Sequence, residues 1–317
     1  PDNIPEGAKK IGESVTEILE YKPGRLYVKK YIRPKYAPKD QDGIITGELP
    51  SLPIPKGNAG PGLLAHLFIS KFVDHLPFYR QIQQYKREGI KIADSTINGW
   101  FTLSSQLLEP LYQVLVKRVQ ESSYIQADET PIKVLSSAKK GSSHKGYHWV
   151  YHSPLWNLVA FDYQEGRSRE GPKKFLKNFI GTLQTDGYSA YSFYESDPDI
   201  KLIACMAHAR RKFDDALLNN RELSEQAMVL IQKLYEIERK AKNESLNHNE
   251  IFDLRQNESI PILSEFEKFL KEYQTKVLPK SSLGIAINYT LNLWAKLKRY
   301  TTDGRLQIDN NLVENLI

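Results

Sequence analysis

The sequence predicts an α/β protein. Its expected architecture is a ribonuclease-H-like core with a helical insertion, preceded by a helical, helix-turn-helix-like region and a short basic β-ribbon. Three observations carry this expectation. From Ser123 onward, "YIQADETPIKVL", "GYHWVYHS" and "LVAFDYQ" are apolar, aromatic and β-branched runs separated by Gly, Ser and Pro turns, the pattern of an antiparallel meander. "SREGPKKFLKNFI" then has helical spacing, with Phe175, Leu176, Phe179 and Ile180 on one side, and leads to two further strands in "GTLQTDGYSAYSFYE" and "IKLIACMAH". Beyond residue 209 the chain reads as helix almost throughout. Three strands, a helix, a strand, a short helix and a strand is the element order of the ribonuclease-H-like fold.

Taken in chain order, residues 1–40 read as a basic β-ribbon with short strands in "RLYVKKYIR". Between Tyr21 and Lys39 lie seven basic residues, among them Lys29, Lys30, Arg33 and Lys35, with no acid and with Tyr21, Tyr27, Tyr31 and Tyr36 interleaved. Cations neutralise phosphates and tyrosines stack on bases, but a solvated two-faced ribbon has the same pattern. Residues 41–62 hold five Gly and four Pro and read as a linker without regular structure. Residues 63–120 are helical with an interruption at Gly89. "LPFYRQIQQYKREGIKIADSTINGWF" reads as helix, turn and second helix, with Asp94 or Ser95 as the N-cap. That outline fits a DNA-reading helix-turn-helix, and it also fits an ordinary helical hairpin. Residues 121–317 form the core, with residues from about 215 to 300 as the helical insertion.

The chain has 317 residues, 40% hydrophobic and 26% charged, which excludes a disordered or membrane-embedded class. No stretch approaches the roughly 18 uninterrupted apolar residues of a membrane span. With a single cysteine, Cys205, and no apolar signal core in "PDNIPEGAKK", a cytoplasmic protein is expected. The net charge of +6 and a pI near 9.0 favour a polyanionic partner. An initial Pro in place of Met suggests a fragment.

Carboxylates are depleted from strands, yet Asp128 sits inside the first strand of the core and Asp186 at the end of the fourth. In a ribonuclease-H-like order these two strands are central neighbours. Two aspartates brought together repel, and a divalent cation between them makes the pairing favourable. "DGRLQIDNNLVENLI" supplies a third carboxylate, with Asp309, Asn310 or Asn311 capping a helix that carries Glu314. The 58 residues from Asp128 to Asp186 accommodate the strands, whereas the 128 from Asp186 to Glu314 demand an insertion.

"RPKYA", "GPGLLAHLFISKFVDHLPFYRQ", "STINGW", "ADETPIKVL", "LQTDGYSAY", "CMAHARRKF" and "DGRLQIDNNLVEN" together resemble transposases of the insertion-sequence 66 family, of the DDE group. The resemblance runs over most of the chain. It implies that Asp128, Asp186 and Glu314 are catalytic and hold two Mg²⁺ (or Mn²⁺) ions. It further implies a reaction without a covalent protein intermediate: hydrolysis at a transposon end, then attack of the freed 3′-hydroxyl on target DNA. The partners implied are transposon ends and target DNA, with a homodimer or larger assembly in the synaptic complex. Residues expected to contact DNA are Lys29, Lys30, Arg33 and Lys35 on the ribbon; Arg80, Lys86, Arg87, Ser95, Thr96 and Asn98 in the helical region; and His208, Arg210 and Arg211 at the site's edge. The alternative is an inactive fragment that only binds DNA.

Two departures from the family pattern set further expectations. Pro38 stands where a cysteine is expected, so no structural zinc is anticipated, and residues 1–40 read as the remnant of a zinc-binding segment. The chain stops three residues after Glu314, so the core is expected to be truncated there, with Glu314 on a fraying helix and poorly positioned. Glu129 faces away from Asp128 and reads as a supporting or surface group. Cys205 and His208 have Cys-x-x-His spacing but lack the partners of a zinc site. Trp100, Trp149, Trp156 and Trp294 are expected as core or interface anchors.

Overall fold

The computed structural model describes residues 5–9, 15–21, 24–39, 42–135 and 141–317. The chain divides into two compact units, Pro1–Leu108 and Glu109–Ile317, and the boundary falls inside one long helix.

In the first unit the expected ribbon is corrected. "RLYVKKYIR" is extended but unpaired, and the ladder is confined to β1 (Lys35–Tyr36) against β2 (Ile45–Thr46), the second strand arising in the expected linker. Leu26 packs against the unit's apolar cluster while its neighbours in this stretch are exposed, so the strand pair stays minimal. The Pro- and Gly-rich stretch is also not wholly free, since Ile54 and Ala59 are buried with Leu64, Leu67, Tyr85, Ile97 and Trp100. These last residues come from α1 (Pro61–Phe72), α2 (Phe78–Arg87) and the start of α3 (Asp94–Gln120). Pro61 at the first position of α1 suits a helix start, because its missing N–H has no acceptor there anyway. Asp94 already lies inside α3: the carbonyl of Ala93 accepts the N–H of Ile97 at 3.2 Å, so the chain enters the helix one residue earlier than the capping pattern suggested.

The second unit is a mixed α/β structure. Its five-stranded sheet has the order β5-β4-β3-β6-β7, with β3 (Tyr124–Leu135), β4 (Ser143–Ser153), β5 (Leu158–Gln164), β6 (Gly181–Thr185) and β7 (Ile200–Ala204). The first three strands are antiparallel, and β6 and β7 run parallel to β3. Alternation along β3 sends Ile125 and Ala127 to one face, where they pack with Trp149, Tyr151, Leu183, Phe175 of α4 (Glu170–Phe175) and Tyr191. Tyr124 goes to the other face, into a core shared with the helices that follow. Those helices are α5 (Met206–Asp215), α6 (Arg221–Asn243), α7 (His248–Leu254), α8 (Ile260–Gln274), α9 (Ser282–Asn292), α10 (Trp294–Lys298) and the short α11 (Asn311–Glu314).

The buried side of this bundle is lined by Ala227, Ile231, Leu234, Phe266 and Ile287, at the spacing that puts one stripe of each helix inward. Arg255, in a wide turn between α7 and α8, is buried among them. Its guanidinium pairs with Glu238 and donates to the carbonyls of Tyr300, Asp303 and Leu306. Trp100, Trp149 and Trp294 are buried as expected, whereas Trp156, at the β4–β5 turn, is 47% exposed. Among the described residues no helix is long and apolar enough to cross a membrane.

Candidate active site

Parallel pairing of β3 with β6 matches Tyr124 to Thr182, Ile125 to Leu183 and Gln126 to Gln184. Two residues beyond the last of these pairs come Asp128, still on β3, and Asp186, in the turn just past β6, close enough that its charge acts on Asp128. Burial pushes the Asp128 carboxyl up to about 6, and the charges of Asp186 and Glu314 push in the same direction. Opposing them, the Glu129 N–H donates to Asp128 Oδ1 at 2.9 Å, and Arg167 adds a favourable charge. Asp186 sits in a tight turn: its Oδ1 accepts the Tyr188 N–H at 2.8 Å and its carbonyl accepts the Tyr289 hydroxyl at 2.6 Å. Gly187 makes that turn possible, with φ at +91° and space so close that a Cβ would meet Leu293 Cδ1 at 2.7 Å.

Glu314 arrives through a buried polar network. Gln126 Nε2 donates to Gln184 Oε1 at 2.8 Å and to the Asp309 carbonyl at 2.9 Å, while Gln184 Nε2 donates to the Gln307 carbonyl at 2.9 Å. The Tyr124 hydroxyl donates to Gln184 Oε1 and accepts the Gln307 N–H at 3.1 Å. Each glutamine that grips residues 307–309 lies two residues before an aspartate. The Met206 N–H donates to the Ile308 carbonyl at 3.1 Å, the Asn310 N–H points to Cys205 Sγ at 3.5 Å, and Val313 is fully buried. Although α11 has four residues and ends at Glu314, its approach is anchored to the sheet. Asp309, just before the N-cap residue Asn310, accepts the Asn311 N–H at 3.1 Å and the Tyr235 hydroxyl at 2.7 Å.

The Glu314 carboxylate lies 3.6 Å from His208 Nδ1 and 3.6 Å from an Arg211 nitrogen. Among the described residues, the one trio of metal-ligand side chains gathered within 4.8 Å is Cys205, His208 and Glu314, not the three carboxylates. That trio makes a poor cation site, because burial pushes the Cys205 thiol up to about 12 and so disfavours the thiolate that would bind a metal. Three hard oxygen donors at Asp128, Asp186 and Glu314 suit Mg²⁺ or Mn²⁺ better. Burial does most to raise Asp128, and the charges of Asp186 and Glu314 add to it.

Glu129 is neither exposed nor distant in effect. Its side chain is 2% exposed, burial pushes it up to about 7, and Arg167 binds it through Nε at 2.7 Å and through a second nitrogen. The Arg167 guanidinium lies 3.9 Å from the centre of the Tyr188 ring, and the Tyr188 hydroxyl donates to the Arg167 carbonyl at 3.0 Å. This clasp joins β3, the loop after β5 and the Asp186 turn. Sequence reasoning missed Arg167, a lone cation in a Gly- and Ser-containing loop with no periodicity around it. It also missed Gln126 and Gln184, although two glutamines at the same offset before two strand aspartates were a usable signal.

The remaining DNA candidates are dispersed. Lys29, Lys30, Arg33 and Lys35 are exposed, with Arg33 donating to the Gly47 carbonyl at 3.2 Å. Arg80, Lys86 and Arg87 are exposed on α2, and Ser95, Thr96 and Asn98 occupy the first turns of α3, where Asn98 Nδ2 donates to the Asp94 carbonyl at 2.9 Å. Arg211 is engaged with Glu314. Arg210 and Arg211 line a cavity of about 850 Å³ between α5 and α6, with Tyr235, Arg239 and Asn311.

Comparison with known proteins adds the following. A family model described as Transposase IS66 family matches residues 56–317, and one described as the zinc-finger binding domain of transposase IS66 matches residues 6–37. The second match runs against the expectation of no structural zinc, and it falls within residues 1–40, read above as the remnant of a zinc-binding segment. Its residues nonetheless include neither cysteine nor histidine, so they do not fit a structural zinc ion by the usual ligands. The chain is 31% identical to uncharacterized protein y4jD of Sinorhizobium fredii (strain NBRC 101917 / NGR234), over 96% of this chain and 62% of that protein. It is 32% identical to uncharacterized protein y4qI of the same strain, over 97% of this chain and 59% of that protein. The chain thus spans about three fifths of the length of the curated relatives it matches.

Proposed function

The chain belongs to the Transposase IS66 family, and from that premise we propose that it binds transposon ends and catalyses metal-dependent DNA cleavage and strand transfer. The observation that supports the proposal is electrostatic proximity: β3 and β6 pair up to Gln126 and Gln184, two residues short of Asp128 and Asp186, and the charges of Asp186 and Glu314 both act on Asp128. An order with three antiparallel strands followed by two parallel ones supports a ribonuclease-H-like core. Anchoring of the third carboxylate supports the enzyme over a chain that only binds DNA.

In this reading Asp128, Asp186 and Glu314 hold two Mg²⁺ or Mn²⁺ ions. Such ions activate the attacking oxygen and stabilise the leaving oxygen of an in-line displacement. The protein's share is placement. Asp128 is fixed by the Glu129 N–H, Asp186 by the Tyr188 N–H and Tyr289, and Glu314 by Arg211. In the first displacement a water oxygen bonds to phosphorus and the bond to the 3′-oxygen breaks, that oxygen leaving with a proton. In the second, the freed 3′-hydroxyl loses its proton, bonds to a target phosphorus and expels another 3′-oxygen. The residues proposed to hold phosphates and bases are Lys29, Lys30, Arg33, Lys35, Arg80, Lys86, Arg87, Ser95, Thr96, Asn98, His208, Arg210 and Arg211. Phosphate contacts position the duplex and base contacts specify it. Holding two ends implies a dimer or larger assembly, working in the cytoplasm.

The test is Asp128→Asn assayed on end DNA with Mg²⁺. Cleavage and strand transfer are expected to vanish while end binding persists. Cleavage at the parental rate removes Asp128 from the mechanism.

A further inference from the structure

We propose that Arg167 is a positioning residue that fixes Asp128 and Asp186 at the separation a divalent ion requires. The inference rests on the catalytic reading above and adds to it a residue that touches neither ion nor DNA.

The observation is a closed chain of contacts from one aspartate to the other. Asp128 Oδ1 accepts the Glu129 N–H at 2.9 Å. Glu129 Oε1 in turn accepts Arg167 Nε at 2.7 Å and a second Arg167 nitrogen. The guanidinium lies 3.9 Å from the centre of the Tyr188 ring, whose hydroxyl donates back to the Arg167 carbonyl at 3.0 Å. The Tyr188 N–H then donates to Asp186 Oδ1 at 2.8 Å. This chain stands where the sheet gives out. The last β3–β6 pair is Gln126 with Gln184, so no ladder hydrogen bond holds Asp128 and Asp186 in register beyond it. Arg167, in the loop between β5 and α4, bridges that gap from outside the sheet.

Two further facts favour placement of the carboxylates over plain stability. The Glu129 side chain is 2% exposed, and its second oxygen, Oε2, has no hydrogen-bond partner among the described residues. Breaking such an interior pair is costly, but apolar side chains in place of both partners would serve stability as well or better. Arg167 also sits where its charge acts on both Asp128 and Asp186, so it offsets part of their mutual repulsion before an ion binds. A lysine could supply that charge but not the clasp, because an ammonium has neither the planar fork nor the flat face that meets Tyr188.

The experiment titrates Mn²⁺ into the full chain without DNA, read by electron paramagnetic resonance, for the parent, Arg167→Lys and Arg167→Ala. Arg167→Lys keeps the charge and loses the clasp; it is expected to weaken Mn²⁺ binding roughly tenfold or more, the usual scale when a group that orients a metal ligand is removed. Arg167→Ala is expected to weaken it at least as much. Binding of end DNA without divalent ions is expected to stay at the parental level in both, and cleavage to recover as Mg²⁺ is raised. Melting curves give the folded fraction to which each titration is referred. Parental Mn²⁺ affinity in folded Arg167→Lys reduces the clasp to a structural staple and overturns the proposal. Weakened DNA binding with parental Mn²⁺ affinity makes Arg167 a DNA contact and overturns it as well. If neither variant folds, Tyr188→Phe takes their place: it removes only the hydroxyl bond to the Arg167 carbonyl, a smaller loss of Mn²⁺ affinity is expected, and no loss overturns the proposal. Asp128→Asn separates the two readings. Parental Mn²⁺ affinity in that variant defeats the catalytic site itself, whereas a loss there with parental affinity in Arg167→Lys defeats the positioning role alone.

Discussion

Replacing Asp128 by Asn should stabilise the protein while it abolishes chemistry. Burial and the neighbouring acids raise the Asp128 carboxyl from 3.8 to about 6. The unfolded chain therefore ionises this group first, and between those two values the folded state binds the extra proton. Stability falls as pH rises through that window, and above it the whole penalty is in place. A shift of about two units corresponds to roughly 3 kcal/mol, which partial solvation reduces to about 1–3 kcal/mol. Asparagine is neutral at every pH and its Oδ1 can still accept the Glu129 N–H. In calorimetry without divalent ions, the variant should melt about 2–10 °C above the parent at pH 8, and the gap should be about halved at pH 5. Adding Mg²⁺ should raise the parental Tm and close the gap, since a ligand of the native state stabilises by mass action. A variant that melts at or below the parent at pH 8 would refute the claim that Asp128 is held at an electrostatic cost.

Other positions give sharp outcomes. Gln126→Leu strands the Asp309 carbonyl and part of the Tyr124–Gln184 pair, and should cost roughly 2–3 kcal/mol; hydrogen exchange at residues 307–310 should accelerate well before the rest of the sheet. Gly187→Ala forces a side chain into left-handed backbone against Leu293, for a loss of roughly 1–3 kcal/mol in denaturant titration. Arg167→Ala leaves the buried Glu129 carboxylate unpaired. Because Glu129 already sits near 7 through burial, the loss should be larger at pH 8 than at pH 5, reaching roughly 2–3 kcal/mol in urea melts.

The sheet was legible because alternation and turn residues speak locally. The β3–β5 meander, Asp128 inside its strand and the helical nature of the insertion could all be read without tertiary information. The N-terminal stretch misled because β-branched and aromatic residues form strands only when a partner layer exists, and apart from Leu26 the residues of "RLYVKKYIR" are exposed. The linker was half right: composition revealed its Gly and Pro but not that Ile54 and Ala59 fill a gap beside α1. Glu314 was judged by helix length alone, whereas its position depends on side chains far away in sequence. Tyr235, Arg255 and Arg167 act at such range, and nothing in their flanking residues announces it.

The tether between the sheet and residues 307–309 carries a consequence for synthesis of the chain. Gln126 reaches Asp309 across 183 positions, and Gln184 reaches Gln307 across 123. Contacts of that separation form late, after the loops between them have closed. On the ribosome the sheet can assemble while the helices are still being made, with two acids beside each other and no third. Only when the helical block has docked does the last segment find its glutamines. A nascent or clipped chain would thus hold two of the three proposed carboxylates together before the third arrives.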